Sequence, residues 1–422
     1  MAKNVDVFME GQKYKSSDYP EIVRMLKKNT SVIAIKGDQF SFRITGFLIC
    51  NNIPLVIFPK KFITDETTFR FDANILLRTL LRYRTETIHP KEENAFLNGN
   101  DLNSNGRIVS AIALLNDFQN NGFLSRNEKI KTVKDKGNID WHSTINTTIP
   151  VLHHGRPIYS NPVIKRTAID ANHIVILIHK AVISECARLW GWMTGVNNDE
   201  LLFELPCSVE EAIRHLTSEL TLTYINRELE VIRNMIVYLK CKTGRNTLEH
   251  IEILATPFFY YVWEYICGHI FENQYSSLSG VVPQPVWKNN LAFGKISQRP
   301  DILFINDNCF FILDAKYYNY HHSLPGWHDA AKQLFYQYTV ENNQSPEAKR
   351  TLLKIDKICN AFIMPETGEM KVRYLGFIEV ENVGGLNKIQ AFAINSRQAM
   401  QAYAGGIKSD LKDCVISQLA VM

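Results

Sequence analysis

The chain has 422 residues, too many for one ordinary core, so two or three domains of roughly 100–200 residues are expected. With 45% hydrophobic and 21% charged residues it has the composition of a folded globular protein, which sets aside disorder as its main state. A formal charge of +4, from 47 basic and 43 acidic side chains, allows nucleic-acid binding through a local patch without demanding it.

The first 60 residues are rich in β-prone runs: Ser31 to Ile35, Phe40 to Cys50, and Ile53 to Phe58 after Asn51-Asn52, which reads as a hairpin turn. Phe69 to Tyr83 and Ile108 to Phe118 have helical spacing of apolar residues, with an Asn-rich loop between them. The segment from Ile130 to Pro162 is expected to be an irregular, strand-containing connection. Helices are expected near 167–193, 208–219, 222–240 and 247–271, then strands after Pro285, a helix from His328 to Val340, and further strands. The expected organisation is α+β and multidomain: an N-terminal mixed α/β module over 1–129, a connecting and helical middle over 130–245, a C-terminal module of mixed sheet flanked by helices over 246–405, and a tail over 406–422.

Eight cysteines are scattered without a Cys-x-x-Cys pair, so neither a zinc spacing nor a disulfide framework is visible and a reducing compartment is expected. The start, Met1 to Asp6, has no basic-then-apolar leader. The most apolar long stretch, Ile251 to Phe271, is interrupted by Glu252, Pro257, Glu264 and His269, which suits a buried helix better than a membrane span. A cytoplasmic protein without membrane attachment is therefore expected.

The chemistry concentrates in Arg299-Pro300-Asp301-Ile302-Leu303-Phe304-Ile305, a polar turn Asn306-Asp307-Asn308, and Cys309-Phe310-Phe311-Ile312-Leu313-Asp314-Ala315-Lys316. Two apolar runs across such a turn predict an antiparallel hairpin, with Asp301 at the start of one strand and Asp314 near the end of the other. Both carboxylates then lie side by side, and Lys316, two residues on, shares the face of Asp314. Hard carboxylate oxygens suit Mg²⁺, which polarises a phosphoryl oxygen and acidifies a bound water. A neighbouring lysine orients that water or stabilises charge on the pentacovalent state. Such a Pro-Asp and Asp/Glu-x-Lys spacing arises by chance in roughly one chain in ten of this length. The weight therefore rests on its setting between apolar strand runs, against the alternative of a solvated strand end with an incidental ion pair.

Glu264, inside Pro257 to Cys267, is placed to bring a third carboxylate from a helix; a place on that helix's solvent stripe is the even alternative, and Glu249 and Glu252 are rivals. After the lysine, Asp329 to Tyr338 predicts a helix on which Gln333 shares a face with Gln337 or Tyr336, able to contact a DNA backbone or simply to face solvent. Lys295, Gln298 and Arg299 flank the first aspartate, as phosphate contacts or as the polar edge of a strand. The adjacent pairs His153-His154 and His321-His322 are expected in loops, because neighbouring side chains point apart. There is no Gly-x-x-x-x-Gly-Lys-Ser/Thr loop for a nucleotide.

These residues resemble the PD-(D/E)xK nuclease superfamily, whose members carry the acidic pair and lysine on a central hairpin of a small mixed sheet flanked by helices. Glu264 resembles the helical glutamate that precedes the hairpin in many of them, and the Gln333 helix resembles the glutamine/tyrosine helix of the RecB-like and McrC-like branches, with a Gln-to-Tyr spacing that departs from theirs. Within that group the chain resembles the LlaJI-type restriction endonucleases, with an McrC-like nuclease subunit, through Asp140-Trp141-His142-Ser143-Thr144-Ile145 and Pro157-Ile158-Tyr159. The likeness covers roughly 130–380 and assigns no role to the first 120 residues. It implies a Mg²⁺-dependent endonuclease acting on double-stranded DNA in a type II or McrBC-like restriction system, with Mn²⁺ as a substitute ion and a separate McrB-like GTPase subunit for translocation and site recognition. Asp301, Asp314 and Glu264 would hold the metal and Lys316 would act beside it. The alternatives are a stand-alone repair or mobile-element nuclease of the same superfamily, and a non-catalytic DNA- or partner-binding subunit.

Overall fold

In the computed structural model the chain is a mixed α/β protein. The structure describes all residues except 1–4, 51–52, 87–88, 99–105, 134–135, 171, 197–200, 244–250, 287–297, 319, 322, 383–387 and 422. They form two compact units, one of residues 1–103 with 247–422, the other of 104–246.

The expected 1–129 module is thus divided, and the reason is one strand. Ile251–Thr256, expected as the start of a helix over 247–271, pairs antiparallel with Thr45–Cys50 and returns the chain to the N-terminal sheet. Ile251, Ile253 and Thr256 are β-branched and favour the pleated backbone, while Pro257 cannot extend the ladder. Only then does a helix run, over Phe259–Ile270. The two backbones approach closely at Gly46, where a side chain would run into the Leu254 carbonyl. This sheet has the order Asp6–Met9, Ile53–Phe58, Thr45–Cys50, Ile251–Thr256, parallel in its first pair and antiparallel in the others. The run Phe40 to Cys50 breaks at Arg43-Ile44, so that Gln39–Phe42 joins Ile33–Lys36 and Tyr14–Lys15 in a second small sheet. Phe8, Phe40, Phe42, Leu48 and Leu55 are buried together in the core of this region. The Asn51-Asn52 turn lies outside the described residues, although Cys50 and Ile53 on either side of it pair antiparallel.

A five-stranded sheet carries the rest of this unit, in the order Ile302–Asn306, Cys309–Ala315, Lys357–Glu366, Ile389–Asn395, Val372–Ile378. Its outer pairs are antiparallel and its inner pairs parallel. The helices Phe259–Ile270 and Trp327–Glu341 pack against Cys309–Ala315. The stretch 406–422, expected as a tail, contains the helix Leu411–Val421, whose Leu411, Val415 and Leu419 recur every four residues and are buried.

The N-terminal helix Phe69–Glu86 and the C-terminal helix Ser396–Gly405 meet through a bidentate pair: Arg397 Nε and Nη2 donate to the two oxygens of Asp72 at 2.6 and 2.8 Å. Asp72 is fully buried, so removing its partner strands a charge. Arg397→Ala is expected to lower unfolding stability by about 3–5 kcal/mol in denaturant melts, with Asp72→Asn/Arg397→Ala less damaged than Arg397→Ala alone.

The second unit packs the helices Arg107–Asn121, Ile174–Thr194, Val209–Leu222 and Asn226–Thr243. Beside them stands a three-stranded antiparallel sheet of Asn127–Val133, Val163–Ile169 and Asn138–Ile139. The helix expected from 167 begins at Ile174, because the preceding residues are taken by the strand Val163–Ile169. Ser208 and Glu211 form a reciprocal capping box that starts Val209–Leu222. Asp140 caps the short helix Trp141–Thr147 and pairs with Lys131 and Lys165. His153 and His154 lie at the tip of an exposed hairpin and His321 in a turn; His322 is outside the described residues. All eight cysteines are free thiols, and no described helix is long and apolar enough to cross a membrane.

Candidate active site

The expected hairpin forms. Ile302–Asn306 pairs antiparallel with Cys309–Ala315, from Ile302 opposite Leu313 to Asn306 opposite Cys309. Asp307 in the turn takes φ +50°, a backbone region that Asp tolerates better than most residues. One step beyond the ladder, that register sets Asp301 across from Asp314. Asp301 is held from two sides: its Oδ2 accepts from the Ala315 amide at 3.0 Å, and its carbonyl accepts from Asn273 Nδ2 at 2.8 Å. The Asn273 Oδ1 in turn accepts from the Leu303 amide at 3.0 Å, fixing the strand entry.

Asp314 lies in a strand paired on both sides and is fully buried. Neither of its side-chain oxygens accepts a well-directed hydrogen bond. Their compensation is ionic: Lys316 Nζ stands 2.6 Å from Oδ2 and Lys332 Nζ 3.8 Å from Oδ1. The Lys316 amide continues the ladder by donating to the Ile363 carbonyl at 2.9 Å, so its side chain shares the face of Asp314. Its ammonium also meets Asp329 Oδ1 at 2.8 Å.

Glu264 reaches the same place from the helix Phe259–Ile270. That helix is fastened to the sheet by Trp263 Nε1, which donates to the Ile363 carbonyl at 3.2 Å. Its start is fastened by Thr256, whose hydroxyl accepts from the Phe258 amide and donates to the buried Glu93 at 2.6 Å. Burial, with the charge of Asp314 next, pushes the Glu264 carboxyl up to about 7. Burial, then Asp314 and Glu264, pushes Asp301 up to about 8. Three carboxyls therefore lie within electrostatic reach of one another where burial disfavours their charge. Of the rivals, Glu252 is held in Ile251–Thr256 opposite Ile49, and Glu249 is outside the described residues.

The residues expected to touch DNA are placed less uniformly. Gln333 and Gln337 are buried: Gln333 Nε2 donates to the Ile312 carbonyl at 3.1 Å, and Asn360 Nδ2 donates to Gln337 Oε1 at 3.0 Å. Both fasten their helix to the sheet instead of facing a ligand, because the apolar residues that share their face draw it against the strands. Gln298 is likewise buried, bonded to Thr339 at 2.6 Å and to Gln284. Arg299 is exposed over the Tyr275 ring, and Lys295 lies outside the described residues.

Asp329 and Lys332 were not singled out in the sequence. Their spacing with Tyr336, at i, i+3 and i+7, marks one face of the helix Trp327–Glu341 and is the signal that could have found them. As the side chains stand, no three acidic, imidazole or thiol groups among the described residues converge closely enough to hold a metal ion. The Lys316 ammonium occupies the oxygens of Asp314.

The chain belongs to the LlaJI restriction endonuclease family, whose model matches residues 44–395. It is similar to the type II restriction enzyme BsuMI component YdjA of Bacillus subtilis strain 168, at 25% identity over 400 residues that cover 87% of this chain and 82% of that protein. Among solved structures it is similar, at 14% identity and a TM-score of 0.43, to a chain in a refined half-complex from a tetradecameric assembly of Thermococcus gammatolerans McrB AAA+ hexamers with bound McrC, covering 99% of this chain and 100% of that one. A chain of a cryo-EM structure of the Thermococcus gammatolerans McrBC complex gives 14% identity and a TM-score of 0.29, over 56% of this chain and 80% of that one.

Proposed function

We propose that this chain is the DNA-cutting subunit of its restriction system, hydrolysing phosphodiester bonds of double-stranded DNA with Mg²⁺, or Mn²⁺ in its place, through a PD-(D/E)xK arrangement. The observation that carries this is the pair Asp301 and Asp314 facing each other at the exit of one hairpin beside Lys316, with Glu264 near enough to feel the charge of Asp314 and two of the carboxyls held far above their ordinary range. Buried like charges at one place are unfavourable unless a cation joins them. An all-oxygen donor set suits Mg²⁺ rather than zinc. Asp301, Asp314 and Glu264 would hold the ion, which when bound supplies Lewis-acid polarisation of the phosphoryl oxygen and a water of lowered pKa.

The chain's own groups do the rest. The Ala315 amide keeps one Asp301 oxygen oriented. Lys316, only 14% exposed at its side chain, places a preformed positive charge where negative charge develops on the phosphoryl oxygens. Arg299, exposed two residues before Asp301, would offer a forked donor to a flanking phosphate. The relative in Bacillus subtilis is a component of a restriction enzyme. That supports a separate partner subunit, which in this reading is an McrB-like GTPase.

The test is plasmid cleavage by the purified chain in Mg²⁺ or EDTA, alone and with a candidate GTPase subunit and GTP. Cutting that needs Mg²⁺, partner and GTP is expected. Cutting without the partner would return the stand-alone nuclease, and no cutting under any condition would return a non-catalytic subunit. In binding assays without cleavage, Arg299→Ala is expected to weaken all DNA sequences alike and to flatten the salt dependence by about one unit of slope. Gln333→Ala should leave that slope unchanged, its loss appearing as about 1–3 kcal/mol of stability.

A further inference from the structure

Two ion pairs hold the Lys316 side chain beside the carboxyl cluster. One ammonium, that of Lys316, bridges Asp314 Oδ2 at 2.6 Å and Asp329 Oδ1 at 2.8 Å. A divalent ion bound at Asp314 would compete with this ammonium for the same lone pairs. An ammonium expelled from a buried carboxylate without another acceptor would be left unpaired in a poorly hydrated place, which opposes metal binding. Asp329 is that acceptor, already in contact. It is half-buried on the first turn of Trp327–Glu341, and its other oxygen accepts from the Tyr318 hydroxyl at 3.1 Å. Lys332, one turn along the same helix, is a more distant cation, 3.8 Å from Asp314.

We infer that Asp329 is a positioning residue that takes over the Lys316 ammonium when a divalent cation claims Asp314. Lys316 thus serves as a resident cation of the carboxyl cluster and, once shifted toward Asp329, as the positive charge beside the metal. The inference rests on the metal-dependent reading above. It assigns to the helix after the hairpin a part in metal loading, and it places a carboxylate outside the three proposed ligands under functional constraint.

The experiment is Mn²⁺ binding to the full chain, without DNA, followed by calorimetry or by the electron paramagnetic resonance of free Mn²⁺. Asp329→Asn is expected to weaken Mn²⁺ by about tenfold, the scale of one partly buried ion-pair acceptor, and Asp329→Glu to recover most of it. Lys316→Met, which removes the competitor, is expected to bind Mn²⁺ at least as tightly as wild type. The double variant Lys316→Met/Asp329→Asn should then match Lys316→Met within about twofold, because Asp329 acts only through the lysine. If Lys316→Met proves misfolded by circular dichroism, Lys316→Gln takes its place in the cycle. Wild-type affinity in Asp329→Asn overturns the inference alone. So does a double variant as weak as Asp329→Asn, which would make Asp329 a ligand. Wild type that binds no Mn²⁺ overturns the metal-dependent reading and this inference with it.

Discussion

Asp314→Ala is expected to abolish cleavage, by at least about 10³-fold in kcat, while the protein stays folded and still binds DNA. Every proposed role meets at this carboxyl: it faces Asp301 across the hairpin, it raises Glu264, and it holds Lys316 at 2.6 Å. Folding should survive because the oxygens accept no well-directed hydrogen bond that the substitution would break, and because Lys316 keeps Asp329 at 2.8 Å as a partner. A melt separates the metal role from a structural one. A ligand at 100 times its Kd raises unfolding stability by about 2.7 kcal/mol, so wild type should melt higher in saturating Mg²⁺ than in EDTA. The variant should melt at one temperature in both. Cleavage retained in Asp314→Ala, or an undiminished Mg²⁺ shift, would remove Asp314 from the site.

What was legible in the sequence followed short-range rules. The hairpin was visible because Ile302 to Ile305 and Cys309 to Leu313 are apolar runs with a polar turn between them, and strand geometry then places Asp301 by Asp314 and Lys316 on the face of Asp314. The helix Trp327–Glu341 was visible for the same kind of reason. Which of its polar residues face the sheet was not. Gln333 and Gln337 looked like surface groups by type, yet they are buried because the sheet offers them the Ile312 carbonyl and the Asn360 amide, partners distant in sequence. The roles of Asp329 and Lys332 are not legible in sequence, because they depend on Lys316 and Asp314, which only the fold brings near. Ile251–Thr256 reads as helix in sequence because a short apolar run beside a true helix has no period of its own, and its partner strand lies some 200 residues earlier. The division of the chain went wrong with it, since that one strand carries the chain back into the N-terminal sheet.

In EDTA the stability of this protein is expected to fall as the pH rises from about 4 to above 7, and in Mg²⁺ that fall should disappear. Glu264 and Asp301 both have folded-state values raised above the ordinary 4.5 and 3.8, to about 7 and about 8. A carboxyl raised in this way contributes its full stabilisation below the unfolded value, where both states are protonated alike, and loses it as the pH climbs through the folded value. Glu264 is partly solvated, so screening reduces its share, and a combined loss of about 2–5 kcal/mol is the appropriate scale. Asp301→Asn should flatten most of the slope, because an amide cannot ionise. A bound divalent cation reverses the preference by favouring the ionised carboxylates, so binding at pH 7 should release about one proton or more per ion. Two calorimetric titrations in buffers of different ionisation enthalpy measure that number directly. For the same reason cleavage should rise with pH through the range near 7, since metal and protons compete for Asp301 and Glu264. A flat melting profile in EDTA, with no proton release on titration with Mg²⁺, would mean that these carboxyls are not coupled to a metal and that the hairpin exit serves only to hold the fold.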